Sequence, residues 1–350
     1  MKKFATILVA LLFNLIAAVS ISAATAIPAL AIFGGGTALS LLGGRQGLQM
    51  AVQKEIWMNT IVEGLFAQNS FLSKAFNADE FVQQGKTVHI PNAGNPSNVV
   101  KNRTTFPATV TARTDVDLTF DMDEYTTDPI KITNADKAEL SYPKRNSVLK
   151  QDKAALAKAV AEDFIYKWSP ADTYTIETTG AAVAAHTPSG VGNRKAFTKA
   201  DVKSAMVAFN KQDVPQENRY MLVDADMYAQ LLDSMTDKDS LAFFSQADVA
   251  NGILGKLYSF NIMMRSRAAL YDVNDAPKLW SAAAAGDDNA AALAWHENSV
   301  CRALGQAEMF DDTSNPLYYA DIYSFLVRAG GRPMRSDVAG LLAIVQAPSA

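Results

Sequence analysis

Apolar and polar positions alternate most regularly near the middle of the chain. From Val148 to Trp168 (VLKQDKAALAKAVAEDFIYKW), Leu149, Leu156, Val160, Phe164 and Trp168 recur at spacings of four and seven. That spacing places one apolar stripe along an amphipathic helix. Ser147 stands where an N-cap belongs, and Ser169-Pro170 ends the run because proline lacks an N–H and disfavours helix in the residue before it. Such a helix spans about 30 Å, the width of a small domain. Upstream the period falls to two. Val116, Leu118, Phe120 and Met122 alternate with Asp115, Asp117, Thr119, Asp121 and Asp123, which predicts a strand with one apolar and one acidic face. A further strand over Thr126–Thr133 points Ile130 and Ile132 inward. Nearer the N-terminus, Val52–Phe76 carries Val52, Ile56, Leu65, Leu72 and Phe76 near one helical face. Gly64 and Asn69-Ser70 weaken it, predicting a bent helix or two short ones.

After the central helix the pattern becomes mixed α/β. Strands are predicted over Tyr174–Thr178, Tyr220–Val223, Leu257–Arg265 and Ala291–Trp295. Helices are predicted over Lys199–Lys211, capped by Thr198, over Asp226–Met235 and over Glu297–Leu304. Two long closing strands, Tyr318–Arg328 and Val338–Gln346, flank Gly330-Gly331, with Pro333 starting the return. Gly180–Arg194 reads as a loop and Ala284–Asp288 as an exposed tip. Between a short strand at Thr87–Pro91 and the alternating strand at Val116 lies a polar, turn-rich excursion, Asn92–Pro107. Excursions of this kind in compact domains are functional or reach outside the domain.

Composition narrows the function. The 350 residues hold one large domain or two, and 49% apolar with 19% charged residues is ordinary for a folded protein. A net charge of -4 gives no support for a general nucleic-acid binder. The single cysteine, Cys301, excludes an intrachain disulfide and a thiolate cluster, and His89, His186 and His296 lack metal-ligand spacing. The acidic spacing in Asp115–Asp123 fails a calcium loop, since Phe120 replaces the turn glycine and Thr126 the bidentate glutamate. Gly252-Ile253-Leu254-Gly255-Lys256 lacks the spacing of a phosphate loop, and His296-Glu297 is not followed by the second histidine of a zinc helix. Cys301 and His296 lie five residues apart on one predicted helix, and Cys301 reads as a small half-buried residue packing among Val300 and Leu304 rather than as a thiol with its base; His89 and His186 show no partner. A non-enzymatic protein without metal or cofactor is expected. Residues 1–49 leave three readings open: an export signal or membrane anchor, a removed extension, or an over-extended start with the true beginning at Met50.

Several stretches carry a resemblance. Gly85 with Lys86-Thr87-Val88-His89-Ile90-Pro91 is similar to the G-x-T-V-x-I-P entry of an extended loop. Val116–Asp121 resembles the returning strand, and Tyr220–Asp224 with Tyr228 and Leu231-Leu232 resembles a strand–helix step. Gly252-Ile253-Leu254-Gly255 followed by Phe260, Ile262, Arg265 and Ser266 is similar to a G-x-I-G-x-x-x-G-F-x-V-x-x-S stretch, with Ser259 in place of the second glycine. Leu293–His296 then Val300 resembles a later strand–helix pair. In this order, from Met50 onward, they resemble the major capsid proteins of tailed bacteriophages with the Hong Kong 97-like fold.

The resemblance implies an α+β fold: an N-terminal arm (50–84), an extended β-hairpin loop (85–121), a peripheral domain of spine helix and antiparallel strands (122–172 and 311–350) and a mixed α/β axial domain (173–310). It implies a non-enzymatic coat protein that self-assembles into homo-hexamers and homo-pentamers of an icosahedral shell around double-stranded DNA, without sequence-specific contact, in the host cytoplasm. Portal, scaffold or protease proteins are admitted as further partners. Asn92, Asn98, Lys101, Arg103 and Phe106 are the expected inter-subunit contacts on the loop, and Leu149, Leu156, Val160, Phe164 and Trp168 the core of the spine helix, packed on Val116–Met122 and Tyr318–Arg328. The rivals are an exported membrane-anchored or periplasmic protein, resting on residues 1–49 alone, and an encapsulin-type compartment shell.

Overall fold

The architecture is known from a computed structural model, which describes residues 65, 69–83, 86–92, 99–104, 106, 107, 110, 116–133, 144–335 and 337–349. The amphipathic stripe forms one helix, Lys144–Trp168. It starts directly after Pro143, so Ser147 lies in its first turn and does not cap it. Leu156, Val160, Phe164 and Trp168 are buried; the side chain of Leu149 lies outside the described residues. Their partner is a long antiparallel hairpin, Val300–Asn315 with Ala320–Pro333. Burying each of these large side chains is worth roughly 1.5–3 kcal/mol. The outer hairpin strand pairs in turn with Asp123–Thr126 and Ile130–Thr133. The alternating strand ends at Asp121, and the helix meets its continuation Asp123–Thr126. Gly331 lets helix and hairpin approach closely: a Cβ there would lie 2.7 Å from the Phe164 ring and 2.6 Å from the Cys301 carbonyl oxygen. Trp168 Nε1 donates to that same carbonyl at 3.0 Å.

Val300–Asn315 corrects the helix expected over Glu297–Leu304. Only Glu297–Ser299 forms a turn of 3-10 helix, and Val300 opens the strand. Cys301 and Ala303 face the core in period two, and a register shift between Leu304 and Ala307 carries the strand past Gly305. A short apolar run fits either period, and here the strand partner decides it.

The second sheet has eight strands. Its main path runs Ile253–Leu257, Phe260–Met264, Arg219–Val223, Asn289–His296, Ala269–Tyr271 and Pro277–Lys278; Leu341–Val345 pairs with Asn289–His296 and carries Thr175–Glu177 parallel beside it. Asn289–His296, Arg219–Val223 and Leu341–Val345 are buried at every position. That explains their unbroken apolar runs, since a strand covered on both faces does not alternate. Helices Lys199–Lys211 and Ala225–Asp233 place Val202, Ala205, Phe209, Met227 and Leu231 against it. Sequence periodicity merged Leu257–Arg265 into one strand; the structure splits it at Tyr258-Ser259, both at positive φ, into a tight hairpin. A further helix, Asp237–Phe244, has no counterpart among the predicted elements, and the loop expected over Gly180–Arg194 instead forms most of a small hairpin, Ala182–Ala184 with Asn193–Lys195.

Residues 69–79 tie the two sheets together. Ser70–Lys74 is a 3-10 helix with Phe71 and Leu72 buried, followed by a two-residue strand, Phe76–Asn77, parallel to Cys301-Arg302. Asn69 Nδ2 donates to Ala157 of the spine helix while Arg265 Nε donates to Asn69 Oδ1. Trp295 Nε1 donates to the Lys74 carbonyl at 2.8 Å, and Asp79 accepts from Leu304 N at 2.7 Å. Phe71, Trp168 and Trp295 meet with ring centroids 5.9 to 6.5 Å apart. Among the described residues no helix is long and apolar enough to cross a membrane.

Candidate self-assembly surfaces

The loop entry folds as period-two reading dictates. Thr87–Asn92 pairs antiparallel with Val116–Asp121, from Thr87 opposite Asp121 to Asn92 opposite Val116. Val88 and Ile90 point into a small core with Met122, Cys301 and Ala303, so the hairpin base is fixed on the peripheral sheet. Thr87 Oγ1 donates to Asp121 Oδ1 at 2.8 Å.

Lys101, Arg103 and Phe106 are exposed, Phe106 at 75%. Val99 and Val110 are more exposed still, at 92% and 94%. Asn98 and the side chain of Asn92 lie outside the described residues. A phenylalanine and two valines open to water on one loop lose the benefit of burial unless another surface covers them. The valines were missed because a β-branched residue in a polar stretch gives no periodic signal.

Two carboxylates of the returning strand's acidic face, Asp121 and Asp123, find partners within the chain. Asp123 pairs with Lys167, which also holds Asp163 at 2.8 Å, and Tyr125 donates to Asp163. Glu124 accepts from Arg328 at 3.2 Å, and the Lys167 ammonium, although partly desolvated, is held above its ordinary pKa by those two carboxylates.

Cys301 is fully buried on its strand, its Sγ 3.3 Å from the Arg332 carbonyl, and burial pushes the thiol up to about 11, so it is not a nucleophile. It shares no helix with His296, whose side chain accepts from Asn298 N. His89 sits half-buried opposite Thr119 in the hairpin base. His186 has a partner the sequence did not reveal: its Nε2 lies 2.8 Å from Asp224 Oδ2. Asp224 also caps helix Ala225–Asp233 by accepting from Met227 N at 2.7 Å. With Asp226 these form a group of three potential metal ligands, but Asp224 is already committed to the cap and the histidine. The Ala284–Asp288 tip is half anchored. Ala284 and Asp287 are exposed, whereas Asp288 is buried, accepts both 2.7 Å bonds from Lys278 Nζ, and caps Ala285 N.

What the described residues offer is thus not a catalytic constellation but exposed apolar surface on rigid supports. Comparison with known proteins agrees. A family model described as phage capsid protein matches residues 79–314. No curated protein sequence matches. Among solved structures, the capsid of cyanophage P-SCSP1u is similar at a TM-score of 0.55 and 16% identity, over 79% of this chain and 87% of that one. The capsid of Ralstonia phage GP4 gives 0.58 at 11% identity, over 79% and 88%. A virus-like particle from Pyrococcus furiosus gives 0.50 at 8%, over 83% and 99%. At these identities the likeness is one of fold, and the fold is the Hong Kong 97-like one. The exported-protein reading rests on residues 1–49, which lie outside both the family match and the described residues. With the match over residues 79–314 taking in the spine helix and most strands of the axial sheet, the chain belongs to the phage capsid protein family: it is a major capsid protein, a structural subunit of the icosahedral virion shell.

Proposed function

We propose that the chain assembles as homo-hexamers and homo-pentamers around double-stranded phage DNA, within the host cytoplasm. The observation that carries this reading is the loop from Asn92 to Val116: anchored by Val88 and Ile90, it holds Phe106, Val99 and Val110 open to water. Laid over an adjacent subunit, with Asn92, Asn98, Lys101 and Arg103 at its polar rim, it covers apolar surface on both copies. Repetition by symmetry makes one such patch serve at every contact. Net acidity suits a wall that confines DNA without gripping it, because tight binding of phosphates needs clustered cations. Portal, scaffold or protease proteins are the further partners that such a shell would take.

The subunit divides into an arm, the extended loop, a peripheral domain and an axial domain. Strand pairing supports grouping Val300–Pro333 with the spine helix, Leu341–Val345 with the axial sheet and Pro348-Ser349 with the small Ala182–Lys195 hairpin, a division that differs from one placed at residue 311.

Electron microscopy of the purified protein expressed from Met50 tests the proposal. Closed particles with fivefold and sixfold capsomers are the expected result, and a monodisperse monomer at high concentration would overturn it.

A further inference from the structure

Asn251-Gly252 is the only asparagine–glycine pair in the 350 residues. It lies at the end of an exposed turn. Ser245–Asn251 is open to solvent at every position, and Val249–Asn251 forms a single turn of 3-10 helix that leads into the strand Ile253–Leu257. Gly252 closes the turn in the left-handed region, at φ 74°, and packs so near residue 70 that a Cβ would lie 2.1 Å from Ser70 Oγ. Conformation and packing therefore both call for glycine here. The consequence is chemical as well. A glycine nitrogen has no side chain beside it, so it can reach the side-chain carbonyl carbon of a preceding asparagine, an approach that a bulkier following residue hinders.

Asp248 holds the pair in place. Its Oδ2 accepts from Asn251 Nδ2 at 2.6 Å, its Oδ1 accepts from Asn251 N at 3.3 Å, and its backbone exchanges two 2.9 Å hydrogen bonds with Ile253. Gly252 N donates to the Val249 carbonyl at 3.1 Å. While these contacts stand, the Asn251 amide is turned toward Asp248 and the Gly252 nitrogen is occupied. Ring closure needs both to let go. No side chain of Val249–Asn251 is buried, so this turn can open locally while the sheet beneath stays folded.

We propose that Asn251 is a site of spontaneous deamidation and that Asp248 is the restraint that sets its rate. In the opened turn the Gly252 backbone nitrogen attacks Asn251 Cγ. A carbon–nitrogen bond forms there, the Cγ–Nδ2 bond breaks, and the proton of the Gly252 nitrogen leaves with the amide group as ammonia. The product is a succinimide ring. Water then adds to one of its two carbonyl carbons and opens it, giving aspartate or isoaspartate at position 251; no oxidant and no enzyme is needed. Either product puts a carboxylate where Asp248 Oδ2 now meets a donor, so two negative charges face each other and the cap is lost. Isoaspartate also lengthens the main chain by one methylene, which displaces Asp248 from its pairing with Ile253. The conversion thus removes the restraint that delayed it.

The test incubates full-length wild type, Asp248→Ala, Asp248→Asn and Asn251→Gln under mildly alkaline conditions and reads isoaspartate by peptide mapping with electron-transfer fragmentation. The wild type should accumulate isoaspartate at position 251. Asp248→Ala should convert about fivefold faster, the extra opening that loss of a capping side chain allows. Its melting temperature should be unchanged, because the turn is exposed. Asp248→Asn keeps an acceptor oxygen for the Asn251 N–H groups and should fall between the two. Asn251→Gln should give no signal at this position, since its longer side chain closes a ring far more slowly. Equal rates in the wild type and both Asp248 variants would overturn the restraint. Isoaspartate absent from position 251 in all three, or confined to other asparagines, would overturn the site.

Discussion

The axial sheet and the extended loop treat apolar side chains in opposite ways. Asn289–His296 is buried along its whole length and covered by helices, so its stabilising contacts are all internal. The loop buries only its base and leaves Val99, Phe106 and Val110 in water. One region is complete as a monomer, and the other becomes complete only against another molecule. The difference separates folding from assembly: substitutions in the first should cost stability, and those in the second should cost particles.

The largest effect falls where the spine helix, the hairpin and the axial sheet meet. Trp168 is fully buried, packs on Phe71, Phe164 and Trp295, and donates to Cys301. Trp168→Ala leaves a cavity and an unpaired carbonyl, and should cost about 3–5 kcal/mol by chemical denaturation. A loss under about 1 kcal/mol would mean that this joint does not hold the subunit. Next is Gly331→Ala. The added methyl must displace either the Phe164 ring or the Cys301 carbonyl, both closer than 3 Å to its ideal position. Overpacking of this kind costs about 1–3 kcal/mol, and unchanged stability would show that the helix can ride up off the strand.

A smaller, pH-dependent effect belongs to His186. Burial disfavours its charge, but the hydrogen bond to Asp224 and the carboxylates of Asp224 and Asp226 outweigh that and raise its pKa above the ordinary 6.5. A raised histidine contributes stability that is fully present below the unfolded pKa and is lost as pH climbs through the folded one. The advantage of the wild type over His186→Gln should therefore be greatest below about pH 6.5 and shrink above it. Thermal melts of both proteins from pH 5.5 to 9 measure this. An advantage that grows with pH would contradict the pairing.

How much of this the sequence disclosed depends on whether local period or distant partners set each element. The spine helix and helix Lys199–Lys211 were legible because each has its own apolar stripe and stop. The loop base was legible because Val88 and Ile90, like Leu118 and Phe120, alternate. Val300–Leu304 was not, since its strand state comes from Gly330–Pro333, some thirty residues on. The Tyr258-Ser259 turn was hidden because neither residue favours positive φ; Ser259 holds 75° there, the position at which the related pattern carries glycine, and its Oγ accepts from Arg219 Nη1 at 3.2 Å. The His186–Asp224 pair joins positions thirty-eight residues apart and had no local signal. For the candidate surfaces, Phe106 was legible as an apolar residue in a polar excursion.

The smallest effect on the monomer carries the sharpest test of the comparison. Phe106 is 75% exposed, so Phe106→Asp removes little buried area and should change unfolding free energy by no more than about 0.5 kcal/mol. In the shell the same side chain would be covered by the adjacent subunit, and a carboxylate there would be desolvated without a partner, a penalty of several kcal/mol per contact repeated at every copy. Particle yield by sedimentation should therefore collapse while the melting temperature of the free subunit stays fixed. If both hold constant, the loop does not cover its neighbour through Phe106. If both fall together, Phe106 belongs to the subunit's own core, and the line drawn between folding and assembly does not run through this loop.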